Sequence, residues 1–154
     1  MPSWGEVEAE APDLAALARG FFDRHVHKLL ATLRRDGSPR ISGIETTFAG
    51  GELWLGMMWR SVKALDLLRD PRFALHSGSD DPPGWPGDAK VAGRAEEVTD
   101  PERAAVVTGN APSGPAHVFR CDVTELVVVR LNESRDRLII ESWHPGRGIE
   151  RQER

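Results

Sequence analysis

The period of apolar and polar positions changes several times along the chain, and each change marks an element. Residues 1–11 are acidic, contain proline and read as a flexible, frayed N-terminal segment. From Pro12, the run DLAALARGFFDRH places Leu14, Leu17, Ala18, Phe21 and Phe22 on one face. That spacing predicts a helix over about 12–24, with Gly20 as its weak point. The period then shortens to two, with Leu30, Thr32 and Arg34 alternating against Leu29, Ala31 and Leu33. Asp36-Gly37 signals a hairpin into a second strand from about Arg40 to Phe48, and Gly50-Gly51 turns into a third, Glu52 to Met57. Three strands joined by two glycine turns form an antiparallel meander.

A short helix follows, then RFALHSG as a fourth strand, Arg72 to Gly78. Residues 79–88 hold three prolines and form an exposed loop carrying Trp85. A fifth strand covers about 89–98. Asp100-Pro101 starts a helix, PERAAVVTG, that stops at Gly109, and a loop rich in Gly and Pro (NAPSGPA) comes next. The long run from about 117 to 131 is apolar on both faces at Val127–Val129, which predicts cover on both sides. After the turn NESRD come a last strand, RLIIESW, and a polar tail. No βαβ unit recurs, so residues 12–154 read as one mainly β domain: a six- to seven-stranded antiparallel barrel with helices at its edges.

The helix within WRSVKALDLLRDP, Trp59 to Pro71, has its charges reversed. Ser61 is the expected N-cap, Val62, Leu65 and Leu68 make an apolar stripe, and Asp70-Pro71 stops the helix. Arg60 and Lys63 stand at the end where the dipole and free N–H groups favour anions, whereas Asp66 and Asp70 lie toward the other end. Each such placement costs up to about 1 kcal/mol. An anion held by Arg60, Ser61, Lys63 and the first-turn N–H groups removes that cost, and phosphate suits the geometry. The alternative is a solvated helix end with a Lys63–Asp66 pair, which contributes a few tenths of a kcal/mol.

Composition narrows the chemistry. A net charge of −4 offers no basic field, so nucleic acid is not an expected partner. Of 20 basic residues only Lys28, Lys63 and Lys90 are lysine, which makes Lys63 at a helix start more informative. One cysteine, Cys121, excludes an internal disulfide, and no leader pattern or long apolar run occurs, so a soluble, cytoplasmic protein without a membrane partner is expected. At 154 residues the chain can bury roughly 68–70% of its unfolded surface.

Standard catalytic motifs are missing: there is no Gly-x-Gly-x-x-Gly, no Walker loop and no Gly-x-Ser-x-Gly. His25 and His27 lack a third ligand, so no metal site is expected. Cys121 reads as a buried small residue, His76 as a strand histidine, and Glu96-Glu97 as solvent-facing. No triad can be assembled, so an enzyme built this way relies on a bound cofactor for reactivity.

The run LLATLRRDGSPRISGIETTFAGGELWLGMMWRSVKALDLLRDPRFALHS resembles the pyridoxamine 5′-phosphate oxidase-like FMN-binding split-barrel family. The DGSP hairpin, the GELW strand and above all the R-S-x-K-x-x-x-L-x-x-D-P-R helix carry the likeness. VAGRAEEVTDPE (91–102) and ESWHPGRGIER (141–151) extend it to residues 25–151. The resemblance implies a homodimer of split β-barrels with cofactor sites at the subunit interface. It places the flavin phosphate on Arg60, Ser61 and Lys63, the residues the dipole argument singles out. It assigns ring and phosphate contacts to Arg40, Ile41, Ser42 and Ile44, ring-flanking positions to Gly56, Met57 and Met58, and further reach to Trp143 and His144, with a core-capping role for Trp143 as the alternative. Many relatives carry Pro at Gly43 and an aromatic or apolar residue at Glu45, and no substrate-phosphate residues of true pyridoxamine phosphate oxidases are evident.

The implied function is a flavin-dependent oxidoreductase that exchanges hydride with a small-molecule substrate and uses FMN. One alternative keeps the fold but uses the 5-deazaflavin coenzyme. Another is a flavin- or haem-binding protein without turnover.

Overall fold

In the computed structural model, residues 1–108 and 115–154 are described. The elements are α1 (Trp4–Glu10), α2 (Pro12–Arg24), β1 (Lys28–Leu33), β2 (Pro39–Ile44), β3 (Thr46–Ala49), β4 (Glu52–Met58), α3 (Val62–Arg69), β5 (Arg72–His76), β6 (Asp88–Glu97), α4 (Pro101–Thr108), β7 (Ala116–Leu131), β8 (Leu138–His144) and β9 (Gly148–Glu153). The expected helix stop at Gly109 lies outside the described residues, as does the following Gly- and Pro-rich loop up to Gly114.

The strands form one sheet in the order β2-β1-β5-β6-β7-β4-β3, with β8 and β9 continuing from β7, and every pairing is antiparallel. β2 and β3 are therefore the two ends of the main path, yet they are neighbours in sequence. The chain passes directly from one to the other at the exposed Glu45, so the barrel is closed by a covalent link and not by a ladder of hydrogen bonds. The single strand expected over 40–48 divides there. That division, together with β9, raises the expected six or seven strands to nine among the described residues. β9 arises in the stretch read as a polar tail. Gly146 and Gly148 take φ of 78° and 70°, a left-handed backbone that glycine adopts without steric cost, and they fold the hairpin. The charged residues of β9 blunt the sheet edge.

Long β7 organises the rest. Its first half pairs with β4 and its second half with β8, while β6 lies along its other side. Val128 is fully buried and Val127 nearly so, as the run apolar on both faces requires. The core joins Phe22 of α2 to Leu30, Leu53, Leu55, Leu75 and Leu126 on the strands. Cys121 sits in that core, where burial pushes its thiol pKa up and keeps it unreactive.

The N-terminal segment is ordered, against the expectation of fraying. Ser3 and Glu6 form a reciprocal capping box, with Glu6 N donating to Ser3 Oγ at 3.3 Å and Ser3 N to Glu6 Oε2 at 2.7 Å. Trp4 and Val7 project from the acidic helix into the core, and the Trp4 ring lies 4.7 Å from that of Phe48. Backbone bonds from Gly5 N to Gly51 O and from Val123 N to Pro2 O, both 2.8 Å, tie the segment to the barrel. Two buried apolar side chains and satisfied caps outweigh the unfavourable composition of a seven-residue helix.

Candidate functional site

The site is built where β4 turns into α3 beside the free edge of β2. Ser61 N donates to Met58 O at 3.1 Å to make the turn, and Arg60 is held at φ 59°, rare for a residue with a Cβ. Ser61 occupies the N-cap position, but its side chain does not cap. Its Oγ is buried and has no hydrogen-bond partner among the described residues. The first intrahelical bond runs from Leu65 N to Ser61 O, which leaves the N–H groups of the first turn free of helix carbonyls. Arg60 is exposed and Lys63 half-buried on the same turn. A cap residue, free N–H groups and two cations thus share one turn.

Lys63 does not pair with Asp66. Its Nζ donates to Gly43 O at 2.8 Å, using a carbonyl on the unpaired edge of β2. Strand alternation turns the backbone groups of Ile41 the same way, so this edge offers main-chain contacts beside the turn. Side chains of β2 divide between faces. Arg40 and Ser42 are half-buried on the inner face, Ile44 is packed in the core, and Ile41 projects outward at 72% exposure. The four residues expected around a ligand therefore cannot all meet it through their side chains.

Asp66 is the buried counter-charge of the region. It accepts from Arg40 Nε at 2.7 Å, Thr32 Oγ1 at 2.8 Å and Arg69 Nη2 at 2.9 Å. Burial pushes its carboxyl pKa up, but the bonds from Arg40, Thr32 and Arg69 outweigh that, and the net pKa is below the usual carboxylate range. This network also sets the roll of α3. The helix buries Ala64, Asp66 and Leu67, and the stripe expected to face the core, Val62, Leu65 and Leu68, faces outward at 53%, 41% and 51% exposure. An open groove of about 480 Å³ runs beside α3, lined by Arg34, Arg35, Arg40, Leu65 and Arg69 among others.

The remaining expected residues separate. Met57 is buried in the core, while Met58 stands 81% exposed at the strand end. Trp143 is 1% exposed and donates Nε1 to Glu10 Oε2 at 3.1 Å. It pairs with Leu126, some 30 Å further along β7 than the residues opposite Met57, at about 3.3 Å per residue. Its indole is packed in the core of the chain beside α1. His144 accompanies it, with Nε2 on Glu125 Oε2 at 2.8 Å.

One polar cluster at the turn went unseen in the sequence. His117, on β7 opposite Met57, is 4% exposed, with its Nδ1 2.6 Å from Glu97 Oε2 and Trp59 stacked on its ring. These residues meet only through strand register. No group of three or more His, Cys, Asp or Glu placed to hold a metal occurs among the described residues. No helix there is long and apolar enough to cross a membrane.

An antiparallel barrel closed at a chain crossing, with a helix start beside the free β2 edge, is the split-barrel class. A family model described as pyridoxamine 5′-phosphate oxidase matches residues 14–130, and the chain belongs to that family. Solved structures share the fold. A pyridoxamine 5′-phosphate oxidase-related, FMN-binding protein from Nostoc punctiforme is 14% identical, with TM-score 0.64 over 90% of this chain and 94% of that one. PhzG from Burkholderia lata, in complex with tetrahydrophenazine-1-carboxylic acid, is 13% identical, with TM-score 0.64 over 99% and 93%. An F420 reductase is 20% identical, with TM-score 0.54 over 70% and 94%. Among curated protein sequences no significant match was found.

Proposed function

We propose that the protein is an oxidoreductase that binds FMN, with the cofactor phosphate on the β4–α3 turn. The observation that carries this is the buried Ser61 Oγ, without a partner among the described residues, in the same turn as Arg60, Lys63 and free helix N–H groups. Each is a donor. Lys63 directs one of its N–H bonds to Gly43 O, and a phosphate oxygen is an acceptor for the Ser61 hydroxyl, the free N–H groups and the remaining cationic donors. Arg40 brings a further guanidinium from the inner face of β2, already oriented by Asp66. Backbone groups of Ile41 and Gly43 along the free edge supply contacts to a ring, and exposed Met58 flanks it. When bound, the flavin supplies hydride exchange with a small-molecule substrate. The chain supplies anchoring, orientation and a dry wall.

The same surface argues for a homodimer. Leu29, Ile41, Met58, Trp59, Val62, Leu65 and Leu68 are large, apolar and 41–81% exposed on β1, β2, the turn and α3. A patch of that kind on a single chain marks an interaction surface, and a second copy covers it in the assembly we propose.

Titrating the purified protein with FMN, followed by tryptophan fluorescence, tests the reading. Saturable quenching that Lys63→Ala weakens is expected, and an unchanged affinity in that variant would overturn it. A second reading, with the 5-deazaflavin coenzyme in place of FMN, is favoured by the groove beside α3. Arg34, Arg35 and Arg69 can receive the additional acidic groups of that coenzyme. The same titration with the deazaflavin separates the two.

A further inference from the structure

The start of β7 places His117 and Phe119 on the barrel face and Val118 on the opposite face, where it packs with Trp54, Val98 and Val107 under α4. His117 is thereby drawn into the interior, at 4% exposure. Glu97, at the end of β6, stands 2.6 Å from Nδ1. A carboxylate only accepts, so Nδ1 carries the proton, and in the neutral ring Nε2 is left as a bare acceptor. That Nε2 is buried and has no hydrogen-bond partner among the described residues. An unpaired buried ring nitrogen is costly, and His144 Nδ1 is left the same way, but of the two only His117 has its imidazole stacked under an exposed indole. The His117 ring is oriented through one nitrogen and, among the described residues, unpaired at the other.

One face of the imidazole is covered by Trp59. The Trp59 indole lies parallel to the imidazole at 4.4 Å and 10°, yet Trp59 is 54% exposed. It belongs to the turn between Met58, 81% exposed, and Arg60 with its left-handed backbone. The indole is wider than the imidazole, so the plane of the smaller ring continues beneath it. A flat molecule that donates a hydrogen bond to Nε2 lies in that plane and extends the stack under the same indole.

We propose that Glu97, His117 and Trp59 form a binding site for a planar heteroaromatic ligand carrying an N–H or O–H donor, recognised at His117 Nε2 and stacked against Trp59. Met57, opposite His117, is the penultimate residue of β4, the strand that leads into the proposed phosphate-anchoring turn. The occupant is thus the substrate of the oxidoreductase, an assignment that rests on the function proposed above. The binding itself does not require cofactor.

Benzimidazole, which has an N–H, and benzothiazole, which is of similar size and has none, are titrated into the cofactor-free protein. Imidazole nitrogens are observed by NMR after 15N-histidine labelling, with His117 assigned through His117→Gln. Benzimidazole is expected to shift the His117 Nε2 resonance and to bind at least about tenfold tighter than benzothiazole. Trp59→Ala is expected to weaken it about fivefold or more through loss of the stack. Equal binding of the two compounds, or an unmoved Nε2 at several millimolar benzimidazole in the folded wild-type protein, would overturn the proposal. Because no flavin is present, a negative result here leaves the FMN proposal standing, and a negative FMN titration removes the assignment of the occupant as substrate but not the binding site.

Discussion

Two ends of the barrel solve the same packing problem in opposite ways. At the α1 end, large aromatic side chains are sealed. Trp4 and Trp143 are each 1% exposed, Val7 is 0% exposed, and backbone bonds fasten the chain terminus to β7 and to the β3–β4 turn. At the β4–α3 end, Met58 and Trp59 stand in solvent, α3 turns three apolar residues outward, and Ser61 Oγ and His117 Nε2 are buried with no partner among the described residues. The first arrangement stabilises the chain on its own. Buried unpaired atoms alone do not separate the ends, since Trp4 Nε1 also lacks a partner among the described residues. The difference is the large apolar surface that only the second end leaves exposed, the mark of an interaction surface.

Substitution should separate the ends. Trp4→Ala removes a fully packed indole and is expected to cost about 3–5 kcal/mol of unfolding free energy, measured by denaturant titration. The affinity of the remaining folded protein for FMN should not change. Loss of FMN affinity without loss of stability would break the contrast.

Asp66 lies between the two regimes, a buried charge that holds α3 in place. Asp66→Ala strands Arg40 and Arg69 and is expected to cost about 3 kcal/mol, at the low end for a broken buried pair because both guanidinium side chains are about a quarter to a third exposed. The wild-type carboxyl has its pKa lowered by folding, so its contribution is fully present above the unfolded value, near 3.9, and is lost as pH falls through the lower folded value. Acid titration should therefore narrow the gap between wild type and Asp66→Ala. A gap that widens below pH 4 would contradict the network.

The same contrast explains what the sequence revealed. Helix α2 over 12–24, the DGSP hairpin and β4 are set by local period and turn residues, and they stand where that period places them. Helix α1 was legible too, since Ser3 and Glu6 spell a capping box, but the acidic composition concealed it. Which face of α3 is buried was not legible. The stripe Val62, Leu65, Leu68 has a helical period, yet the helix is rolled by Asp66 meeting Arg40 and Thr32 from distant strands. Arg60, Ser61 and Lys63, the phosphate anchors we propose, sit within four positions of one another, so the sequence alone could suggest them. His117, Glu97 and Trp59 come from two strands and a turn, brought together by the registers of β4, β6 and β7, and no spacing along the chain signals that.

Lys63→Ala probes the open end directly. Lys63 makes one exposed hydrogen bond, to Gly43 O, so its loss should change stability by less than about 1 kcal/mol. Loss of a charge-assisted contact to phosphate should weaken FMN by about 1.5–3 kcal/mol, roughly tenfold to more than a hundredfold in Kd by isothermal titration. Affinity lost together with stability would mean that the turn itself had collapsed.

The smallest expected effect on the fold comes from Leu65→Glu. Leu65 is 41% exposed at the middle of the outward stripe, and glutamate is as good a helix former as leucine, so the stability of an isolated chain should move by no more than about 0.5 kcal/mol. If a second copy covers the stripe, the new carboxylate is buried without a partner in the interface, and the dimer should dissociate to monomers in sedimentation velocity. A dimer that survives Leu65→Glu would place the interface elsewhere and leave the outward roll of α3 to be explained by the Asp66 network alone. Dissociation accompanied by weaker FMN binding would show that the open end is finished by the partner chain as well as by the cofactor.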